Sequence, residues 1–184
     1  MDLGQLISLE PAAFKRLIEE GYLDDHGIWI VDIYNTLIVR ASEHPTRVEQ
    51  LAASAVDAYL DSGRSNEAIL YLELQARVLL TQHKLNDAVV LIERIADLEG
   101  DASESTVLEL ADDILASVDS YGVGIDQRPR VMAEVARLIQ RYGQEKKVIA
   151  LYLEAAKIYS GHGATQPAYR CVHEAEILAH SLMS

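Results

Sequence analysis

A spaced triplet of a tyrosine, a glycine and an alanine occurs twice in this chain and limits what the chain can fold into. The two copies are Tyr59, Gly63 and Ala68, and Tyr159, Gly163 and Ala168. Each copy spans a polar break between two helical patterns. A bulky residue near the end of one helix, a glycine for the turn and an alanine that lets the next helix approach closely together predict a helical hairpin suited to stacking.

Apolar residues recur at intervals of three and four from Pro45 to Leu182, which is the period of amphipathic helices. All four prolines precede long helical patterns, where a missing N–H group costs little. Most glycines fall where such patterns end. The connections are short, so neighbouring helices should be antiparallel. The expected fold class is all-α, with antiparallel helical hairpins stacked as a short α-solenoid.

The segment 26–41 is the ambiguous part of this pattern, because its β-branched and aromatic residues also suit a strand. A lone strand cannot satisfy its backbone hydrogen bonds, and no second strand-like run occurs. We therefore predict a largely buried helix, with Trp29 in the core or in a cap over the end of the stack. If Trp29 is exposed instead, it becomes the best single candidate for a binding hot spot.

The two hairpin signatures resemble the tetratricopeptide repeat, a helix–turn–helix unit of about 34 residues that stacks into a solenoid. The C-terminal copy is the closer match, since Tyr152 and Ala155 also stand where the family places packing residues. A weaker third echo has His83 in the glycine position. The resemblance implies a repeat region over 45–184, preceded by a helical cap over 1–44.

For function, this resemblance implies a non-catalytic protein-interaction module: an adaptor, a chaperone or a regulatory scaffold. Its partner peptide would lie in the groove lined by the first helix of each pair. The groove-facing candidates are Gln50, Asp57, Arg77 and Lys157. Only Lys157 suits the subclass that grips a C-terminal carboxylate, so recognition of that kind is not expected.

Three arginines, Arg130, Arg137 and Arg141, are expected on one face of a helix over 128–142. They could form an electrostatic docking strip for an acidic partner segment. The plainer interpretation is a solvated basic face that offsets the acidic middle of the chain. Both interpretations remain open from the sequence.

The formal net charge of −13 is unevenly distributed along the chain. Residues 1–66 carry 5 basic and 11 acidic groups, residues 67–126 carry 3 and 13, and residues 127–184 carry 8 and 5. This balance argues against a nucleic-acid partner, whose backbone is polyanionic. The oppositely charged regions do allow head-to-tail self-association.

Cys171 is the only cysteine, which favours a reducing compartment. No secretory signal and no apolar run of membrane-spanning length is evident, so we expect a cytoplasmic protein without membrane contact. His173 and His180 are too far apart on a helix to share one metal ion, and no metal or cofactor is expected.

An enzymatic alternative rests on Asp32 and Thr36, whose context resembles the first motif of the haloacid-dehalogenase superfamily. In that family an aspartate at the end of a strand is the nucleophile. The resemblance would require alternating strands and helices after Asp32, whereas the pattern that follows is helical. The preferred hypothesis is therefore a binding module that uses shape and charge without bond chemistry.

Overall fold

In the computed structural model, residues 3–25, 29–98, 103–120 and 127–183 are described, and within them every regular element is a helix. The α-helices are α1 (Pro11–Glu19), α2 (Tyr22–Asp25), α3 (Ile30–Arg40), α4 (Pro45–Asp61), α5 (Ser65–Thr81), α6 (Leu85–Ala96), α7 (Ser103–Ser120), α8 (Gln127–Ile139), α9 (Glu145–Gly161) and α10 (Thr165–Leu182). Short 3-10 helices cover Leu3–Ser8 and Gln140–Tyr142. The prediction of an all-α fold is confirmed.

The chain divides into two compact units, Met1–Thr106 and Val107–Ser184. In the first unit, α4 packs against α1 and α5, and α5 packs against α6. In the second unit, α9 packs between α8 and α10. Each unit is thus built from consecutive helix pairs with short connections. A repeat region that starts at residue 45, and its regular stacking as a solenoid, remain predictions.

The turn after Tyr59 explains why the spaced triplet is a hairpin signature. Gly63 has a left-handed φ of 72°, and the Arg64 N–H donates to the Tyr59 carbonyl at 2.8 Å. The Gly63 N–H donates to the Leu60 carbonyl at 3.0 Å, so two carbonyls at the end of α4 gain partners. Glycine suits this position because it has no Cβ to penalise a positive φ.

The turns at residues 83 and 163 repeat this geometry. Ala164 donates to the Tyr159 carbonyl at 2.9 Å across Gly163, whose φ is 73°. Lys84 donates to the Leu79 carbonyl at 3.0 Å across His83, whose φ is 59°. His83 therefore occupies the glycine position of the weaker third echo, as its alignment with the two triplets predicts.

Small and aromatic residues lie at the contacts between paired helices. Ala68 and Ala168, the alanines of the two triplets, are both buried, which permits close approach of the helices that they join. In the first unit the Tyr59 and Tyr71 rings stack at 5.7 Å between centroids. Such pairs add to stability beyond the apolar area that they bury.

The ambiguous segment is the helix α3, and its residues 26–28 lie outside the described part of the chain. Helix was the correct choice, but the expectation that it is largely buried is wrong. Only Ile33 and Leu37 of α3 are buried, whereas Val39 is 70% exposed. Trp29 is 72% exposed, so it is not a core residue. Ile33 and Leu37 form an apolar face on only one side of α3, and this is the side that is buried in the unit. The β-branched residues on the other side of the helix are not covered.

Candidate functional site

A groove in the second unit lies between α8, α9 and α10 and has a volume of about 430 Å³. We call it the arginine–tyrosine groove, after the side chains that line it. Its chemically distinctive lining residues are Arg130, Arg137, Tyr152, Tyr159, Arg170 and Glu174. The volume suits a few residues of a peptide and falls within the range of small-ligand sites.

The periodicity of α8 explains why two of the predicted arginines line this groove. Val131, Val135 and Ile139 face the core, which places Arg130 and Arg137 together on the solvent side, two turns apart. The Arg130 Nε forms an ion pair with the Glu134 carboxylate at 3.4 Å, one turn further along the helix. Both partners remain partly exposed, so this pair leaves donor capacity on the guanidinium for a ligand.

Two tyrosines of α9 line the same groove. Tyr152 is 6% exposed, and burial raises the pKa of its phenol. Burial also raises the pKa of the Tyr159 phenol, and the positive charge of Arg130 acts in the opposite direction. Arg137 acts on Tyr152 in the same way. Each phenol therefore stays protonated near neutral pH and offers an O–H donor beside a guanidinium.

Cys171 lies in α10 and contributes to the groove wall. Its side chain is buried, and burial raises the pKa of the thiol, with Glu174 acting in the same direction. A raised pKa lowers the thiolate fraction, which is the nucleophilic form. Cys171 is thus a packing residue here.

A second groove, of about 850 Å³, lies along α8 and α9 and includes Lys157. Leu153, Glu154 and Lys157 line it together. Arg128 donates to the Glu154 carboxylate at 3.2 Å across this groove. Residues 153, 154 and 157 project from the side of α9 opposite to Tyr152, so the two grooves use opposite faces of one helix.

The third predicted arginine of the strip is separated from the other two. α8 ends at Ile139, and Arg141 lies in the 3-10 turn that follows rather than on the same helical face. The prediction of a single helix over 128–142 is therefore wrong at its C-terminal end. The tighter 3-10 turn changes the angular spacing of side chains. Arg141 is exposed and does not line the arginine–tyrosine groove.

The predicted residues of the first unit lie on α4 and α5. Gln50 is exposed and accepts a hydrogen bond from the Arg47 guanidinium at 3.4 Å. Asp57 is exposed and lies 3.9 Å from the Arg94 guanidinium of α6. Both side chains lie on α4 and are available at the surface.

Arg77 has neighbours that suggest a structural role. Its Nε donates to the Glu73 carboxylate at 2.8 Å, one turn earlier on α5. The Tyr34 hydroxyl of α3 donates to the same carboxylate at 3.5 Å. This small network joins α3 to α5, and a ligand at Arg77 would have to share or disrupt it.

Asp32 and Thr36 lie on the exposed side of α3 rather than at the end of a strand. The Thr36 hydroxyl donates to the backbone carbonyl of Asp32 at 2.8 Å, an ordinary helix contact. The dehalogenase-like arrangement would need the carboxylate in an anion-accepting loop, which a position within a helix does not provide.

Two further results concern the described residues only. No three of their histidine, cysteine, aspartate or glutamate side chains come together in a way that could hold a metal ion. Within the same ranges, no helix has both the length and the apolar character needed to cross a membrane.

Sequence reasoning did not single out Arg170, Tyr152 and Tyr159 as site residues. A signal was present, because Tyr152 and Tyr159 are seven residues apart, as are Arg130 and Arg137. Seven residues are close to two helical turns, so each pair lies on one face of its helix. What could not be read was that α8 and α9 turn these two faces toward one groove.

The chain was compared with protein-family models, with curated proteins and with solved structures, and none of the three comparisons found a match.

Proposed function

We propose that this chain is a protein-interaction module of the tetratricopeptide type, which holds a peptide segment of a partner protein without catalysing a reaction. The observation that carries the proposal is the arginine–tyrosine groove. It combines an open volume of about 430 Å³ with guanidinium and phenol groups. These are among the side chains most enriched where proteins bind proteins.

The groove is suited to binding by preorganisation. Tyr152 is buried by the packing of α9, so its ring loses little further freedom when a ligand arrives. Arg130 and Arg137 project from a helix whose core face is held by buried residues. Guanidinium groups favour carboxylates, which they bind with two parallel hydrogen bonds.

Charge supports an acidic partner segment. The groove carries three arginines against Glu134 and Glu174, a local excess of positive charge on a chain with a net charge of −13. The acidic remainder of the chain would repel an acidic partner, so the groove is the place where such a segment is attracted. Contrasts of this kind orient partners and raise association rates at low salt.

A peptide-display selection tests the proposal. The full chain is immobilised, and binders are selected from a library of random peptides and then counted on three forms of the chain, the unchanged one and two variants. The double variant Arg130→Gln with Arg137→Gln should lose the binders, whereas Arg141→Gln should keep them because Arg141 lies outside the groove. Thermal unfolding should be unchanged in all three, since the substituted side chains are exposed.

Two outcomes of this selection would contradict the proposal. Retention of all binders by the double variant would show that the groove is not the site. Equal loss with Arg141→Gln would favour a diffuse basic face, the plainer interpretation. The more drastic reversal of Arg130, Arg137 and Arg141 to glutamate should also abolish capture of the selected peptides without lowering the melting temperature.

The second groove offers an additional contact surface within the same function. Lys157→Ala and Leu153→Ala should weaken only those peptides that survive the arginine substitutions. Gln50, Asp57 and Arg77 are proposed as partner contacts of the first unit. We propose a cytoplasmic setting, where a single unpaired cysteine is ordinary. Self-association is tested by light scattering across salt concentrations.

A further inference from the structure

The arginine–tyrosine groove contains two pairs of side chains, and each pair consists of a guanidinium and a phenol. Arg130 and Arg137 are seven residues apart on α8, and Tyr152 and Tyr159 are seven residues apart on α9. The electrostatic neighbours follow the antiparallel order of the two helices, because Arg130 acts on Tyr159 and Arg137 acts on Tyr152. The groove therefore has two stations, each with one guanidinium and one phenol.

The distance between the stations follows from helix geometry. Seven residues at about 1.5 Å rise per residue separate the two α-carbons of each pair by about 10 Å. A peptide in the polyproline II conformation has three residues per turn and rises about 3.1 Å per residue, so side chains three positions apart lie on the same side of the peptide and about 9 Å apart. The two spacings agree to within about 1 Å.

The charged groups between and around the stations limit which residues can occupy the middle of a bound peptide. Glu134 lies on α8 between Arg130 and Arg137, and Glu174 lies on α10 at the other wall. An acidic side chain between the stations would meet these carboxylates, and like charges brought together in this way disfavour binding. Apolar groups have a place there, because Ala133 and Pro167 also line the groove.

On these observations we propose that the groove binds a peptide segment of a partner protein in the polyproline II conformation, with two carboxylate side chains three positions apart and two uncharged residues between them. Each carboxylate accepts hydrogen bonds from one arginine and one tyrosine. This inference rests on the proposed function and adds to it the spacing and chemistry of the ligand. It concerns the side of α9 opposite to Lys157.

The test measures spacing directly with fluorescein-labelled peptides of ten residues. One peptide carries two glutamates separated by two alanines, and in two others the glutamates are adjacent or separated by five alanines. A fourth has glutamine in place of one glutamate, and a fifth has glutamine in place of both. Fluorescence polarisation should show binding of the first at least about tenfold tighter than the others, the gain expected from a second charge-assisted contact.

Substitutions of single residues show which side chains form each station. Arg130→Gln or Arg137→Gln alone should reduce the affinity for the first peptide about tenfold, to that of a peptide with one glutamate, and the double variant should bind neither. Tyr159→Phe removes the phenol donor while keeping the ring, and should weaken the first peptide more than the peptide with one glutamate. Arg141→Gln is the matched control and should leave all affinities unchanged.

Three results would overturn the inference in distinguishable ways. If peptides selected by display bind in the groove but all acidic spacings bind equally well, the spacing is wrong and the proposed function stands. If neither the selection nor the designed peptides give binding that depends on Arg130 and Arg137, the proposed function fails too. If an oligothymidine binds as tightly as the first peptide, the groove accepts any polyanion and the inference is wrong.

Discussion

Replacing His83 by glycine should stabilise the first unit, because His83 has a left-handed φ of 59° at the turn between α5 and α6. For an L-residue this conformation costs about 1–2 kcal/mol. Glycine avoids that cost but loses more backbone entropy on folding, by about 0.5–1 kcal/mol. The expected net gain in the free energy of unfolding is therefore about 0.8 kcal/mol from the mid-values, within a range of about 0–1.5 kcal/mol.

Two control variants separate the backbone effect from the loss of the imidazole. His83→Ala removes the ring but keeps the unfavourable φ, so His83→Gly should exceed it by about 1 kcal/mol. Gly63→Ala is the reciprocal change at the corresponding turn, where φ is 72° and an added Cβ meets no atom within 4 Å. It should cost about 1 kcal/mol from backbone conformation alone.

Urea unfolding followed by far-ultraviolet circular dichroism is the appropriate assay. Trp29, the only tryptophan, is 72% exposed and is a poor fluorescence reporter of unfolding. With a slope of about 1–3 kcal/mol per molar urea, a change of 1 kcal/mol moves the midpoint by about 0.3–1 M. If His83→Gly is no more stable than His83→Ala, the left-handed turn at this position is refuted.

Other substitutions test burial at single sites. The Tyr71 hydroxyl is buried with no hydrogen-bond partner among the described residues, so Tyr71→Phe should leave stability unchanged or raise it by about 1 kcal/mol in urea unfolding. Trp29→Ala should change stability by less than about 0.5 kcal/mol, whereas Phe14→Ala, at a fully buried site, should cost about 3–5 kcal/mol. Cys171 should react slowly with a thiol reagent at pH 8 and rapidly in urea, because burial shields the thiol and raises its pKa, which lowers the thiolate fraction. Fast labelling of the native protein, a clear loss of stability in Tyr71→Phe, or equal costs for the two alanine substitutions would contradict these assignments.

The sequence determined the helical class and the hairpin turns of this protein, because both depend on local rules. The three-and-four spacing of apolar residues specifies which side of a helix is buried, and the glycine of each triplet specifies a left-handed turn. His83 could be assigned to such a turn as well, because a buried alanine, Ala88, follows it after five residues. Ala68 follows Gly63 and Ala168 follows Gly163 at the same distance. These features need only the residues within one or two turns of each other.

Tertiary structure decided which predicted residues meet. Arg130 and Arg137 came together with Tyr152 and Tyr159 only because α8 and α9 pack side by side, and no rule within one helix specifies the rotation of one helix against another. The exposure of Trp29 was likewise undetermined, since an apolar side chain on an amphipathic helix is buried only where another element covers it. The local periodicity of the sequence shows which face of a helix is apolar, whereas only the packing between helices determines what that face contacts.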